Sequence, residues 1–246
     1  SVSFLVLIGV IDDMSSLSAS FKFIAQIFSA FIYVSISGIY LQIPLLNEFP
    51  LFSFITVIFF IVAVTNSLNL IDGLDGLAAG LSIISFSVLS FFVGGQFGLL
   101  TVVAISVMFG FLRANTFPAI IFMGDSGSYF LGYTLAVMSL QSVIISDIPI
   151  WLPILILGIP LIDTTLVFVT RALNKKSIFK PDKNHLHHRL QKLGISHKNT
   201  VFLMYSIQVI FAFIAIGSFV ELSRYYWAAL VVIILLSIQH VYIILT

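Results

Sequence analysis

Charged residues are scarce in this chain, and cysteine is absent. Only 9% of the 246 residues are charged, against roughly 25% in ordinary soluble domains. Because 60% of the residues are hydrophobic, a water-soluble globule of this length could not bury its apolar surface. The composition excludes a soluble enzyme, a nucleic-acid-binding protein and a disordered chain. The absence of cysteine excludes disulfides, zinc–thiolate sites, iron–sulfur clusters and thiol nucleophiles.

Long intervals without charge predict an all-α, polytopic integral membrane protein. A membrane-spanning helix needs about 20 apolar residues. The interval from Asp75 to Arg113 is long enough for two short spans, with a turn at Gly94 between them. The segment from Ser1 to Ile11 would be only about 16 Å long as a helix, so we interpret it as the end of a span whose beginning is missing. We predict one membrane domain, 1–246, with this partial helix and complete spans at 22–42, 50–68, 76–94, 97–115, 127–146, 150–171, 200–220 and 226–245.

The basic residues predict the orientation of these spans. If the spans alternate, ten of the eleven Lys and Arg residues fall on one side of the membrane. The positive-inside rule makes that side cytoplasmic. A loop over 172–199, rich in basic residues and histidine, lies on the same side. We therefore expect a multi-pass membrane protein whose basic loops face the cytoplasm.

Acidic and amide residues gather at the predicted cytoplasmic ends of the spans. Asp12 and Asp13 end the first segment. They are either charges that mark the membrane boundary or an acidic pair that binds Mg²⁺ or accepts a proton. Asn66, Asn69 and Asp72 recur every three residues and so share one side of a helix. Short carboxylate and amide side chains on rigid elements suit a divalent cation and phosphate chemistry.

A second polar group follows the fourth predicted span. Asn115 comes first, and Gly124, Asp125 and two serines then open the next span. This segment is either a tight turn or a loop whose backbone N–H groups receive phosphate oxygens. Its Gly-Asp-Ser-Gly string also occurs in trypsin-like proteases, but those are soluble β-barrels, so we reject that interpretation.

Histidines within the basic loop form another candidate site. His185 and His188 share a helical face beside basic residues and could hold a diphosphate, whereas His187 would point elsewhere. Alternatively, the three histidines form a purely structural cluster. A zinc site is disfavoured, because the aspartates lack zinc-ligand spacing and there is no cysteine. Asp163, within a predicted span, is a functional candidate because an unpaired carboxylate in a membrane is costly. It would be the coupling group if the protein were a transporter or a lipid flippase.

The order of these motifs resembles one enzyme family. Asp-Asp, Asn-x-x-Asn-x-x-Asp-Gly-x-Asp-Gly, Phe-x-Gly-Asp-x-Gly-Ser and His-x-His-His are similar to the motifs of the polyprenyl-phosphate N-acetylhexosamine-1-phosphate transferases, glycosyltransferase family 4. The last motif looks like the WecA and TagO branch, related to MraY. The similarity extends to about Lys198. A CDP-alcohol phosphatidyltransferase is disfavoured because its Asp-Gly-x-x-Ala-Arg signature is absent.

The resemblance implies a role for each matching residue. Asp125 corresponds to the family's Mg²⁺ ligand, with Mn²⁺ as a substitute. Asp12 and Asp13 would lie near the acceptor phosphate, as a base or a second metal contact, and Lys22 would supply a cation for phosphate. Asn69 and Asp72 would belong to the nucleotide-diphosphate site. The residues that would contact the uracil ring are Phe122, Asn115 and Asp75. The resemblance further implies catalytic roles for Asp12, Asp13, Asp72, His185, His187 and His188, and substrate contacts for Lys22, Asn66, Asn69, Asp75, Asn115, Phe122, Gly127 and Ser128.

The resemblance also implies a reaction. N-acetylhexosamine-1-phosphate, with GlcNAc-1-phosphate first among the candidates, would pass from a UDP-sugar to undecaprenyl phosphate and release UMP. This step would begin the synthesis of a cell-surface polysaccharide such as O-antigen or teichoic acid. The resemblance places the protein in the bacterial inner membrane, with its active site on the cytoplasmic side. Membrane lipid is an expected partner, nucleic acid is not, and a homodimer is left open.

Overall fold

The structure is a computed structural model, and it describes residues 1–39, 50–175 and 185–219. These residues form helices joined by short connections, with no strand among them. The all-α prediction is therefore confirmed. The helices are α1 (Val2–Met14), α2 (Ala19–Ser37), α3 (Pro50–Ile71), α4 (Leu77–Phe92), α5 (Gly95–Asn115), α6 (Gly124–Ser146), α7 (Leu152–Ile156), α8 (Gly158–Leu173), α9 (Leu186–Lys192) and α10 (His197–Phe219).

Five of these helices, α2, α3, α5, α6 and α10, are long and apolar enough to cross a membrane. They match five of the predicted spans, so the chain is a multi-pass membrane protein. The helix α4 matches a sixth predicted span but has only 16 residues. The predicted span at 226–245, and the end of the one at 22–42, lie outside the described residues.

The predicted span at 150–171 is wrong as one continuous helix, because it breaks at Leu157 between α7 and α8. Pro160 has no N–H to donate to the carbonyl of Ile156, four residues earlier. Gln208 of α10 instead binds the backbone groups at the break. Its Nε2 donates to the Ile156 oxygen at 2.6 Å, and its Oε1 accepts from the Ile159 N–H at 3.0 Å. Such repair allows a broken helix within a membrane.

Glycines allow the helices that carry the polar clusters to approach closely. A Cβ built on Gly9 of α1 would lie 2.4 Å from the Cα of Ser126 at the start of α6. A Cβ on Gly132 of α6 would lie 2.7 Å from the Cα of Thr65 of α3. Small residues make such close helix packing possible. As a result, the end of α1, the end of α3 and the start of α6 meet at one end of the bundle.

Candidate functional site at one end of the bundle

Asp125 is the centre of the polar cluster at this end. Its Oδ2 accepts hydrogen bonds from Lys22 Nζ at 2.8 Å and from the Tyr129 hydroxyl at 3.0 Å. Its Oδ1 accepts from Asn69 Nδ2 at 3.0 Å, and the same amide group donates to Ser128 Oγ at 2.9 Å. The side chains of three helices, α2, α3 and α6, therefore converge on one carboxylate.

Lys22 also joins Asp125 to the first acidic residue of the chain. Its Nζ lies 2.8 Å from Asp12 Oδ2 as well as 2.8 Å from Asp125 Oδ2. The other oxygen of Asp12 accepts a hydrogen bond from the Leu17 N–H at 2.6 Å. A single ammonium group therefore bridges two carboxylates that are distant in sequence and partly exposed to the solvent.

Asp13 has a different position from Asp12, although the two are adjacent. Its carboxylate accepts hydrogen bonds from the N–H groups of Asp125 at 2.8 Å and Ser126 at 3.2 Å, and from Ser126 Oγ at 2.8 Å. The N-cap residue of α6 is Met123, whose side chain offers no oxygen to the first turn. Asp13 therefore caps α6 from another helix.

Asp72 lies one residue beyond the end of α3 and is partly buried. Burial raises the pKa of its carboxyl to about 7, and the negative charges of Asp125 and Asp75 add to the shift. A nearby cation favours the ionised form of a carboxyl. The protonation of Asp72 is therefore sensitive to any positive group that enters the site.

Two further predicted residues hold the loops around the site. Asn115 is buried; its Oδ1 accepts from the Gly76 N–H at 3.0 Å and its Nδ2 donates to the Ile121 carbonyl at 2.8 Å. Asp75 Oδ2 accepts from the Ala119 N–H at 3.0 Å. These bonds join the turn after α3 to the segment between α5 and α6.

The remaining predicted binding residues differ in their accessibility. Phe122, in the segment between α5 and α6, has 75% of its surface exposed and is free to contact a flat ligand. Gly127 has no room for a side chain, because a Cβ would lie 2.6 Å from Met123 Cγ. Asn66 is not brought to Asp125: it pairs with Gln26 of α2, and its Nδ2 donates to the Val62 carbonyl at 2.9 Å.

The histidines enter the site from α9 and the residue before it. His185 Nδ1 lies 2.9 Å from Asp163 Oδ2. The ring of His187 lies parallel to the ring of His185, with 5.8 Å between centroids, and 4.2 Å from that of His188. His187 Nε2 would lie 2.5 Å from a Cβ on Gly73, so this ring packs directly on the turn that follows α3.

His187 is held in its neutral form. Only 1% of its surface is exposed, and neither ring nitrogen has a hydrogen-bond partner in the part of the chain that the structure describes. Burial lowers its pKa to about 4, and the neighbouring His188 adds to the shift. An uncharged imidazole therefore lies against the backbone of Gly73.

Two residues around Asp125 and Asn66 were not predicted from the sequence. Tyr129 lies four residues after Asp125 on α6, so it shares the same helix face, and this spacing could have indicated the contact. Gln26 lies four residues after Lys22 on α2 and could have been found in the same way. Both are polar residues within otherwise apolar helices.

The donor set is compatible with a hard divalent cation. Among the described residues there is no group of three or more His, Asp or Glu side chains arranged around one metal position. Mg²⁺ does not require one, because it usually binds one or two carboxylates together with waters and substrate phosphates. The Lys22 ammonium between Asp12 and Asp125 marks a position that favours positive charge.

These features define a polytopic membrane protein whose polar site lies at one end of a helical bundle. The chain belongs to glycosyl transferase family 4, whose family model matches residues 1–143. That match includes every predicted site residue except Asp163 and the three histidines. The family predicted from the motifs is therefore confirmed.

Three relatives illustrate the similarity. The chain is 42% identical over 248 residues to the probable undecaprenyl-phosphate N-acetylglucosaminyl 1-phosphate transferase of Bacillus subtilis (95% of this chain, 68% of the relative). It is 33% identical over 243 residues to the decaprenyl-phosphate N-acetylglucosaminephosphotransferase of Mycobacterium tuberculosis H37Rv (86% and 60%). It is 36% identical over 220 residues to a phospho-N-acetylmuramoyl-pentapeptide-transferase of Staphylococcus epidermidis (80% and 68%). The chain thus spans about two thirds of the length of the curated relatives it matches.

Neither the relatives nor the geometry supports the transporter alternative. The names of these relatives describe phosphotransferases. Asp163, the expected coupling group of a transporter, is buried against His185. The polar residues gather at one end of the bundle, whereas transporters usually bind their substrates near the bilayer midplane.

Proposed function

We propose that the protein transfers N-acetylhexosamine-1-phosphate, with GlcNAc-1-phosphate as the first candidate, from a UDP-sugar to undecaprenyl phosphate and releases UMP. This reaction would begin the synthesis of a cell-surface polysaccharide. The observation that carries the proposal is the Lys22 ammonium, which lies between Asp12 and Asp125 at one end of the bundle. The printed names of the Bacillus and Mycobacterium relatives, which act on undecaprenyl and decaprenyl phosphates, support it.

The position of Lys22 suits a lipid phosphate. The residue lies near the start of a membrane-spanning helix, at the level where a polyprenyl phosphate would present its head group. Its ammonium would neutralise the lipid phosphate, while Asn69 and Ser128 would donate hydrogen bonds to phosphoryl oxygens. Holding two anionic groups at bonding distance supplies most of the catalysis in phosphoryl transfer.

The step itself exchanges one diphosphate bond for another. An oxygen of the lipid phosphate forms a bond to the β-phosphorus of the UDP-sugar. The bond from that phosphorus to the bridging oxygen breaks, and its electron pair leaves on UMP. Because the lipid phosphate is largely dianionic at neutral pH (its second pKa is near 6, as in phosphorylated side chains), the step needs no strong general base. Asp12 then serves to position Lys22.

The carboxylate of Asp125 is the group in this site that would bind a divalent cation. We propose Mg²⁺, with Mn²⁺ as a substitute, held by Asp125 and assisted by Asp12 or Asp72. When bound, the cation would neutralise the charge that spreads over the phosphoryl oxygens. Asp72 would then be ionised, because a neighbouring cation opposes the burial and the negative charges that raise its pKa.

The other predicted residues would bind the donor. The exposed ring of Phe122 would stack on uracil, and the loops held by Asp75 and Asn115 would shape the pocket around it. The histidines would approach the sugar diphosphate from the turn after α3. Of the three, only the half-buried His188 would contact it, and the buried rings of His185 and His187 would support the turn.

We propose that this site faces the cytoplasm of a bacterial cell. If the spans alternate, ten of the eleven Lys and Arg residues fall on the side that carries Asp12, Asp72 and Asp125.

The donor and the leaving group test this proposal together. The full-length protein in detergent is incubated with Mg²⁺, undecaprenyl phosphate and UDP-GlcNAc, UDP-GalNAc or UDP-glucose, and the nucleotides are separated by chromatography. We expect UMP release that requires both the acceptor and an N-acetylated donor. Release of UDP, or UMP release of equal rate without the acceptor, would contradict the proposal.

A further inference from the structure

The buried pair formed by Asp163 and His185 is the strongest feature that the proposed reaction does not yet use. Asp163 lies on α8, and His185 immediately precedes α9, 22 residues later. The two residues are only 3% and 4% exposed. A buried carboxylate is costly unless its oxygens accept hydrogen bonds, and here each oxygen has a donor. Asp163 Oδ2 lies 2.9 Å from His185 Nδ1, and Oδ1 accepts from the Leu186 N–H at 2.6 Å.

This arrangement fixes the ring of His185 in two ways. A carboxylate can only accept, so Nδ1 of His185 carries the proton and Nε2 of a neutral ring is the acceptor. The bond to the Leu186 N–H fixes the backbone at the start of α9 at the same time. One side chain therefore sets both the tautomer of His185 and the direction in which α9 begins.

The effect extends to the turn that carries the site. The ring of His187 lies parallel to that of His185, and His187 packs on Gly73, next to Asp72. Asp163 is thus connected to the Asp72 turn through two histidine rings. In metal sites, removing the hydrogen-bond partner that orients a ligating histidine typically costs about 10- to 100-fold in metal affinity or activity, and we expect an effect of the same order for His185.

We propose that Asp163 is a positioning residue for sugar-phosphate transfer, acting through the imidazole of His185. It does not touch the substrate, and it carries no transported ion. The proposal rests on the function proposed above, in which the histidines approach the sugar diphosphate. A purely structural role would be different: Asp163 would then only link α8 to α9, and any side chain that donates a hydrogen bond could replace the imidazole ring of His185.

The test uses two substitutions and their combination in the full-length protein. Asp163→Asn keeps the shape of the side chain, but only one of its two terminal atoms can accept a hydrogen bond. His185→Asn keeps a donor near the position of Nδ1 and removes the rest of the ring. Thr164→Val is the matched control, because Thr164 is the next residue on α8 and its buried hydroxyl has no hydrogen-bond partner in the described part of the chain.

We expect each single variant to lower kcat/KM for UDP-GlcNAc by about 10- to 100-fold. The melting temperature of His185→Asn in detergent should stay close to that of wild type, because a side-chain donor to Asp163 remains. The kcat/KM of the double variant should be no more than about twofold below that of the less active single variant, because both changes remove the same interaction. Thr164→Val should retain wild-type kinetics. If Asp163→Asn does not fold, Asp163→Glu takes its place in the comparison, because it keeps both acceptor oxygens and displaces the ring of His185.

Two results would overturn the inference. One is wild-type kcat/KM in His185→Asn, which would make the pair merely structural. The other is a double variant whose loss equals the product of the two single losses, which would mean that Asp163 acts independently of His185. Failure of the proposed function is distinguishable, since the wild-type protein and Thr164→Val would then release no UMP.

Discussion

The carboxylate of Asp13 accepts hydrogen bonds from the backbone N–H of Asp125 at 2.8 Å and from that of Ser126. One acidic residue thus caps the helix whose first turn carries another, 112 positions later. A Cβ on Gly124 would lie 2.7 Å from Asp13 Oδ2, and Gly124 has a φ of 66°, which favours glycine. The position of the Asp125 side chain therefore depends on α1.

This relationship predicts separate effects for the two adjacent aspartates. Asp13→Ala should lower the free energy of unfolding by about 1 kcal/mol, the usual cost of a lost helix cap, and should also lower the transfer rate. Asp12→Ala should lower the transfer rate with a smaller loss of stability. Asp12 accepts from one backbone N–H, that of Leu17, and from the half-buried ammonium of Lys22, whereas Asp13 holds two N–H groups of the first turn of α6. Thermal unfolding in detergent, compared with UMP release, checks the pair. Equal losses of stability would contradict the distinction.

Lys22 and a divalent cation should compete for the same carboxylates. Lys22→Gln should lower the transfer rate at least tenfold, because the lipid phosphate loses its ammonium partner. The same variant should bind Mn²⁺ as tightly as wild type or more tightly, because Asp12 and Asp125 are released from the ammonium group. Electron paramagnetic resonance during a Mn²⁺ titration measures this affinity. Weaker Mn²⁺ binding in Lys22→Gln would contradict the assignment.

The contact of His187 with Gly73 should make the two positions interdependent. Gly73→Ala places a Cβ 2.5 Å from His187 Nε2, and such overpacking costs about 1–3 kcal/mol. The double variant Gly73→Ala/His187→Ala should lose less stability than the sum of the two single variants, because the methyl group then fills part of the vacated space. Thermal unfolding of the four proteins gives the coupling. Additive losses would show that His187 does not pack on Gly73.

His187 should also make stability depend on pH. Its pKa is about 4 in the folded protein against 6.5 for the free side chain, so the unfolded chain binds more protons between these values. The stabilisation is fully present above pH 6.5 and is lost as the pH falls towards 4. His187→Leu should flatten this part of the profile of melting temperature against pH. Asp72, whose pKa is raised to about 7, acts in the opposite direction and is unchanged in that comparison. An unaltered profile in His187→Leu would contradict the assignment.

The sequence was sufficient to predict the helical class, the family and the group of residues around Asp125. Charge-free intervals predict membrane spans directly, and the polar motifs stand out because the remainder of the chain is apolar. The break at Leu157 was missed, although Pro160 indicated it, because the repair by Gln208 depends on a helix about 50 residues later. The separate roles of Asp12 and Asp13 were also beyond prediction. Adjacent residues at a helix end point in different directions, and only the packing of α1 on α6 determines which one caps the helix.

The proposed reaction requires the site around Asp125 to transfer a sugar phosphate, and not the sugar alone, to a lipid. The most direct measurement supplies UDP-GlcNAc labelled with ³H in the sugar and ³²P in the β-phosphate, together with undecaprenyl phosphate and Mg²⁺, to the full-length protein and to its Asp125→Asn variant. We predict that both labels enter the lipid fraction in equal amounts with wild type, and that neither does with Asp125→Asn. Transfer of ³H without ³²P, or equal labelling of the lipid by the variant, would contradict the claim.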